Sequence, residues 1–278
     1  MNVTIKYPTN SKIEECIQYY IFSINENNEA FTYKTFPNTN LCLSLYKDNE
    51  IITTIDKASN RCSILAGNNV QSRLWGFHKQ PFEVFVDGAM DQVSVLFHPG
   101  ALRKFTKIPY EELMYDPDVF TTLFGRDSKS FVETLFSTPD FNARVALLDA
   151  FLLHSLRDKY EQDNIDRILH YLDSKADGSR VLDLALLQHV DASTLYRQFI
   201  HYIGQSPKEY LKILRFRQAL QAVKNNKGSG LTSLTYDLGY CDQSHFVKDF
   251  KHLAHNTPRL IYKLAQVEQE EIIWVISK

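Results

Sequence analysis

The last hundred residues of this 278-residue chain repeat themselves. Shifted by 51 residues, Asp191-Ala192-Ser193-Thr194-Leu195-Tyr196-Arg197-Gln198-Phe199 falls on Asp242-Gln243-Ser244-His245-Phe246-Val247-Lys248-Asp249-Phe250. Asp, Ser, an apolar residue, a cation and Phe recur in register. The match runs back to Leu187 over Leu238 and forward to His201 over His252 and Ser206-Pro207 over Thr257-Pro258. A unit used twice must bury the same apolar positions twice, which restricts the fold more than any composition figure does.

Each copy reads as helix, tight turn, helix. In the first, Leu182–His189 is a helix with Leu184, Ala185 and Leu187 inward. Asp191 or Ser193 caps the next helix, which buries Leu195, Phe199 and Tyr202 or Ile203 and ends at Gly204. In the second, Leu231–Leu238 is the first helix, Gly239-Tyr240 the turn, and Asp242 the start of the second helix. Pro207 to about Asn226 forms the helix between the copies. About 19 residues at 1.5 Å give a rod of roughly 28 Å, and one turn of DNA is about 34–36 Å. Such a rod can present two recognition helices to successive major grooves. Arg197 and Lys248 hold equivalent positions and suit base-edge or phosphate contact, a solvated helix face being the alternative. Gln243 can read adenine. Ser244 can bond bases or phosphate, or else only cap its helix. Ser193, Thr194 and Tyr196 lie outward on the first helix; His201, His245 and Lys251 suit phosphate or groove-edge contact.

Residues 1–100 are β-rich. Leu41, Leu43 and Leu45 share one strand face, and Lys47–Glu50 followed by Ile51–Ile55 suggests a hairpin. Phe82–Val86, Asp87-Gly88 and Gln92–Phe97 suggest another. Short helices follow at Ala101–Phe105, Tyr110–Met114, 117–124 and 127–136. A longer one runs from Asp140 to about Tyr160 on Phe141, Val145, Leu148, Leu152 and Leu156; it is the candidate dimerisation helix, with interdomain packing as the alternative. The expected fold class is α+β: a β-rich, barrel or sandwich-like N-terminal domain with helices (1–160), an all-α C-terminal domain of two helix-turn-helix units joined by a long helix (161–266), and an apolar tail (267–278). The tail run Ile272-Ile273-Trp274-Val275-Ile276 should dock on the N-terminal domain or a partner chain.

Charge is divided along the chain. Residues 1–160 sum to −3 and residues 178–266 to +6, within a net −2. The basic segment points to an anionic partner. Cys16, Cys42, Cys62 and Cys241 lack metal-ligand spacing and read as small buried hydrophobes in a reduced, cytoplasmic setting. No apolar run suits a membrane span and no secretory signal is visible. His78 and His98 form no metal motif, and no nucleophile-elbow, phosphate-loop or dinucleotide string occurs. An enzyme, a metal and a cofactor are not expected. Trp75, Phe77, His78, Phe82, Phe85, Phe97 and His98 read as core before ligand pocket.

Over about residues 165–265 the chain resembles the AraC/XylS family of bacterial transcription regulators. The string Leu238-Gly239-Tyr240-Cys241-Asp242-Gln243-Ser244-His245-Phe246, then Phe250-Lys251 and Thr257-Pro258, is similar to the family signature. The first unit echoes it with Ser193, Leu195, Arg197, Phe199, Gly204-Gln205-Ser206-Pro207 and Tyr210-Leu211. Arg215 and Ala219 match the linker helix. The departures are Thr235 in place of Ala, His255 in place of Gly, and Ile200-His201-Tyr202 where lysines are common. The N-terminal part more faintly resembles the sensory domains that precede such units, through Tyr7-Pro8, Phe36-Pro37-Asn38 and Phe97–Ala101. The resemblance implies sequence-specific binding of double-stranded DNA, with RNA polymerase as a partner and control by a small-molecule effector or a homodimer contact. The alternative is an interaction protein whose helix-turn-helix domain no longer binds DNA specifically.

Overall fold

The computed structural model describes residues 1–56, 60–126, 128–157, 163–174, 179–225, 235, 240, 242–264, 266–268 and 272–277. In chain order these form β1 (Asn2–Lys6), α1 (Ser11–Glu14), β2 (Ile17–Asn25), β3 (Phe31–Thr35), β4 (Cys42–Lys47), β5 (Asn49–Ile55), β6 (Asn60–Ala66), β7 (Gln71–Trp75), β8 (Phe82–Val86), β9 (Met90–Phe97), a 3-10 turn (Ala101–Lys104), α2 (Tyr110–Met114), α3 (Val119–Phe124), α4 (Ser128–Ser137), α5 (Phe141–Ser155), α6 (Asp163–Ser174), α7 (Val181–Leu187), α8 (Ala192–Tyr202), α9 (Pro207–Asn225), α10 (Gln243–Ala254), α11 (Pro258–Leu264), β10 (Gln266–Glu268) and β11 (Ile272–Ser277).

Period-2 alternation builds the N-terminal half in layers. A five-stranded sheet runs β1-β2-β9-β4-β7 and a six-stranded sheet runs β10-β11-β3-β8-β6-β5. On the first sheet, Leu43, Leu45, Val93, Val95 and Phe97 join a core with residues of α2–α5. The alternate residues Cys42, Ser44, Tyr46, Gln92, Ser94 and Leu96 face the second sheet across a cavity. The arrangement is a sandwich covered by helices on one face. Two buried charges tie the helices to the strands. Arg144 of α5 pairs with both carboxylate oxygens of Asp91 at 2.8 Å. Asp149 accepts from Thr9, Asn10 and the Tyr20 hydroxyl at 2.7–3.1 Å.

Both expected hairpins are corrected. β4 pairs with β7 and β9, whereas β5 pairs with β6. β8 pairs with β3 and β6, whereas β9 pairs with β2 and β4. Asp48 (φ 52°) and Gly88 (φ 105°) make corners at which the chain crosses from one sheet to the other. Turn residues announce a reversal; they do not say which strand is paired next. The helix expected at 140–160 spans 141–155, and its buried face packs inside the N-terminal core.

Two apolar clusters organise the C-terminal half. α6–α9 meet around Ile168, Leu184, Leu195, Phe199 and Tyr210. The second cluster joins Phe216, Ala219 and Leu220 to Phe246, Phe250 and Ile261, and it includes Phe36 from the end of β3. Leu187 does not point inward as expected: it is 42% exposed, and Leu182 and Leu186 are 65% exposed. α7 ends there, and the chain turns away through His189 at φ 54°. The helical domain ends with α11, and strands follow in the tail. After α11, β10 and β11 pair with each other, and β11 pairs antiparallel with β3 through Val275–Lys34, Ile276–Tyr33 and Ser277–Thr32. The apolar tail thus docks on the N-terminal sheet, covering an edge that would otherwise present unpaired backbone groups. The expected helix at 231–238, Cys241 and the 160 joint lie outside the described residues, apart from Thr235.

Candidate nucleic-acid interface

The second helices of the two units, α8 and α10, are built alike. Asp191 caps α8, its carboxylate accepting from Thr194 N at 2.7 Å. Asp242 caps α10, accepting from His245 N at 2.8 Å. The backbone and side-chain bonds from Thr194 hold the Asp191 carboxyl below its ordinary pKa. Neither Ser193 nor Ser244 is the cap, so the hydroxyl of Ser244 is left outward on α10. Leu195 and Phe199 turn inward on α8, as Phe246 and Phe250 do on α10.

The turns repeat too, with one change. Val190 N donates to Ala185 O at 3.1 Å, and Tyr240 N donates to Thr235 O at 3.1 Å. These bonds are 50 residues apart, while the caps are 51 apart. The second turn therefore carries one extra residue between Tyr240 and Asp242. Thr235 occupies the buried, small-residue position of Ala185. Ser206 and Thr257 cap the helices that follow each unit, accepting from Glu209 N at 3.2 Å and Leu260 N at 3.3 Å, with Pro207 and Pro258 opening them.

Ser193, Tyr196, Arg197 and His201 are exposed on α8, and Gln243, Ser244, His245, Lys248 and Lys251 on α10. Thr194 is half-buried: its hydroxyl donates to Asp191 Oδ2 (3.1 Å) and accepts from Arg197 (3.2 Å), which orients that guanidinium. His245 faces Asp249 at 3.7 Å and packs edge-on against Tyr240. His201 lies apart, at the far end of α8. Burial and the nearby Arg103 charge push its pKa down. Sequence reasoning passed over Lys212 of α9, which shares a shallow groove with Lys248, Lys251, His252 and His255.

It also missed how the N-terminal half grips α8. The last carbonyls of a helix have no partner within it and carry partial negative charge. Arg103, 3% exposed, donates to His201 O at 2.8 Å while lying 3.8 Å over the Tyr110 ring. The Tyr110 hydroxyl donates to Tyr202 O at 2.9 Å. Gly204 (φ 84°) closes the helix directly against Phe77 and Tyr110. Lys79 forms an ion pair with Glu209, and Phe36 meets Phe216 edge-on at 6.3 Å.

Residues 184–262 match a helix-turn-helix domain family, and residues 5–133 match a domain family of unknown function, DUF6597. The C-terminal part of the chain therefore carries a helix-turn-helix domain. An uncharacterized helix-turn-helix-type transcriptional regulator of Escherichia coli, YidL, is 32% identical over 83 residues, 30% of this chain. The match spans only 28% of that relative's length. Among solved structures, a Listeria innocua protein of unknown function is similar over 36% of this chain and 94% of its own (26% identity, TM-score 0.33). A Chromobacterium violaceum AraC-type regulator is similar over 37% and 91% (23%, 0.33). ToxT of Vibrio cholerae is similar over 88% and 98% (12%, 0.46). Among the described residues, no helix is long and apolar enough to cross a membrane, and no group of three ligating side chains could hold a metal.

Proposed function

We propose that the chain is a sequence-specific DNA-binding transcriptional regulator, with residues 1–160 as sensory domain, 161–266 as DNA-binding domain and 267–278 as a tail joining them. The observation that carries this reading is the pair of identically capped helices. Each exposes its first turns and a cation at the same repeat position, Arg197 or Lys248. On this reading Arg197, Gln243 and Ser244 meet base edges; Ser193, Thr194 and Tyr196 line the first groove; His201, His245, Lys248 and Lys251, joined by Lys212, meet the backbone.

Control by an effector fits the cavity between the sheets. Phe36 lines that cavity and also belongs to the core of the second helix-turn-helix unit. A ligand touching Phe36 acts on both, and it shifts the population toward whichever arrangement of the units it binds better. The outward face of α5 is the candidate surface for a homodimer. The deciding experiment is selection of bound duplexes from a random library by the full chain and by Arg197→Ala/Lys248→Ala. Enrichment of two short elements about 10 base pairs apart, lost in the double variant, supports the reading. Absence of enrichment by folded protein, with and without effector, refutes it in favour of an interaction protein.

A further inference from the structure

We infer that the cavity between the two sheets takes an uncharged ligand of one aromatic ring bearing a single hydrogen-bond acceptor. This rests on the effector reading above and specifies its chemistry.

Size comes first. The cavity measures about 170 Å³, close to the ~150 Å³ apolar cavity known to hold benzene. Its walls are ring-lined: Tyr33, Trp75 and Phe82 face it, with Trp75 and Phe82 edge to face at 5.4 Å. Such walls favour a flat, polarisable guest.

Charge comes next. Among the described residues, no Lys, Arg, Asp or Glu side chain lines the cavity. His78 does, but burial lowers its pKa to about 4, so it offers no cation at neutral pH. Its ring nitrogens are shut off from solvent and make no well-aligned hydrogen bond, although the backbone of Gly76 and Phe36 lies close. A carboxylate or ammonium would lose its hydration here and meet no charged side chain among the described residues that line it.

The polar end is a small cluster on β4 and β9. Ser44 Oγ and Ser94 Oγ lie 2.7 Å apart, and Gln92 Nε2 donates to Ser94 Oγ at 2.8 Å. Two hydroxyls own two protons, and one proton is used between them. The other has within reach Cys42 Sγ, a weak acceptor 3.5 Å from Ser44 Oγ, and the Tyr46 hydroxyl, which already accepts from Trp75 Nε1. A carbonyl or hydroxyl oxygen on the ligand would take that proton.

The test uses the full chain carrying Trp274→Phe, so that Trp75 is the remaining tryptophan. Benzyl alcohol and benzamide are titrated against benzoate and benzylammonium at pH 7.5 by fluorescence quenching and calorimetry. The two neutral probes should bind saturably, and the two ions at least about 100-fold more weakly. Ser44→Ala and Ser94→Ala, each checked for an intact melt, should weaken benzamide about 10-fold. Benzoate or benzylammonium binding as well as the neutral probes overturns the inference, as does failure of both neutral probes to saturate. DNA affinity measured with and without benzamide separates the two levels. Neutral binding that leaves DNA affinity unchanged upholds the ligand class and removes the effector reading. Ion-selective binding that alters DNA affinity does the reverse.

Discussion

At Gly204 the backbone that ends α8 lies directly against Phe77 and Tyr110 of the N-terminal half. A Cβ at Gly204 would stand 2.4 Å from Phe77 Cζ, 2.5 Å from Phe77 Cε2 and 2.7 Å from Tyr110 Cδ2. Gly204 also sits at φ 84°, where an L-residue pays about 1–2 kcal/mol. Phe77, half-buried beside a groove, packs edge-on to Tyr110 at 5.5 Å, so a shift of its ring relieves the overlap only in part. Overpacking a filled site costs about 1–3 kcal/mol. Gly204→Ala should therefore destabilise by roughly 2–5 kcal/mol, lowering Tm by about 5–15 °C for a chain of this size. A double-mutant cycle isolates the contact. In a Phe77→Ala background the backbone cost remains and most of the overlap disappears. Chemical denaturation of the four proteins should give a coupling of about 1–2 kcal/mol. Coupling below about 0.5 kcal/mol would show that the halves do not meet through Gly204.

His255→Gly should stabilise the chain by about 0.5–1 kcal/mol in a urea melt, because His255 closes α10 at φ 53° where glycine is unstrained. Arg197→Ala should relax preference at one base pair at a cost of about 1–3 kcal/mol, whereas Lys248→Ala should weaken binding to all sequences and reduce the salt slope by about one, both read from binding isotherms over a salt series. His78 takes its proton near 6.5 when unfolded and about 4 when folded, so acid favours the unfolded chain across that window. Stability should fall from pH 7 toward 4, and His78→Leu should remove on the order of 3 kcal/mol of that fall. Truncation after Leu264 should lower Tm and promote self-association seen by light scattering, because it bares the β3 edge.

The features legible in the sequence were those written in local spacing. The buried Leu195 and Phe199, the outward Arg197 and Lys248, and the helix-ending Gly204 all follow from 3.6-residue periodicity and cap chemistry. The same periodicity misplaced Leu187, because a short helix that turns away leaves its last face open. Strand faces were legible at Leu43 and Leu45, but strand partners were not. Alternation records which way a side chain points and is silent on which strand lies alongside. That is why two corners read as hairpins, and why the cavity, which exists because β4 and β9 face β3 and β8, showed only as the aromatic residues Trp75, His78 and Phe82, which read as core before pocket and in fact line it. Arg103 and Tyr110 were missed for a different reason. Their partners are backbone carbonyls 98 and 92 residues away, and a carbonyl leaves no mark on the sequence.

On the effector reading proposed above, the grip on α8 limits how control can operate. Arg103 and Tyr110 hold its C-terminal carbonyls, while its capped end, with Ser193 and Arg197, stays uncovered. The second unit is approached from a similar end: the Lys34 charge on β3 acts on His255 at the close of α10, and β11 anchors the chain beyond α11 to that same strand. A sensory half that held the helices by their N-terminal turns would switch by masking base contacts. One that holds them by their far ends leaves those contacts free and sets where each helix points. With α9 fixing the spacing between units, the remaining variable is their relative tilt. Phe36, shared by the cavity and the second unit's core, is placed where a small displacement would change that tilt. On that reading the free energy available for switching is the difference in ligand affinity between two tilts and no more.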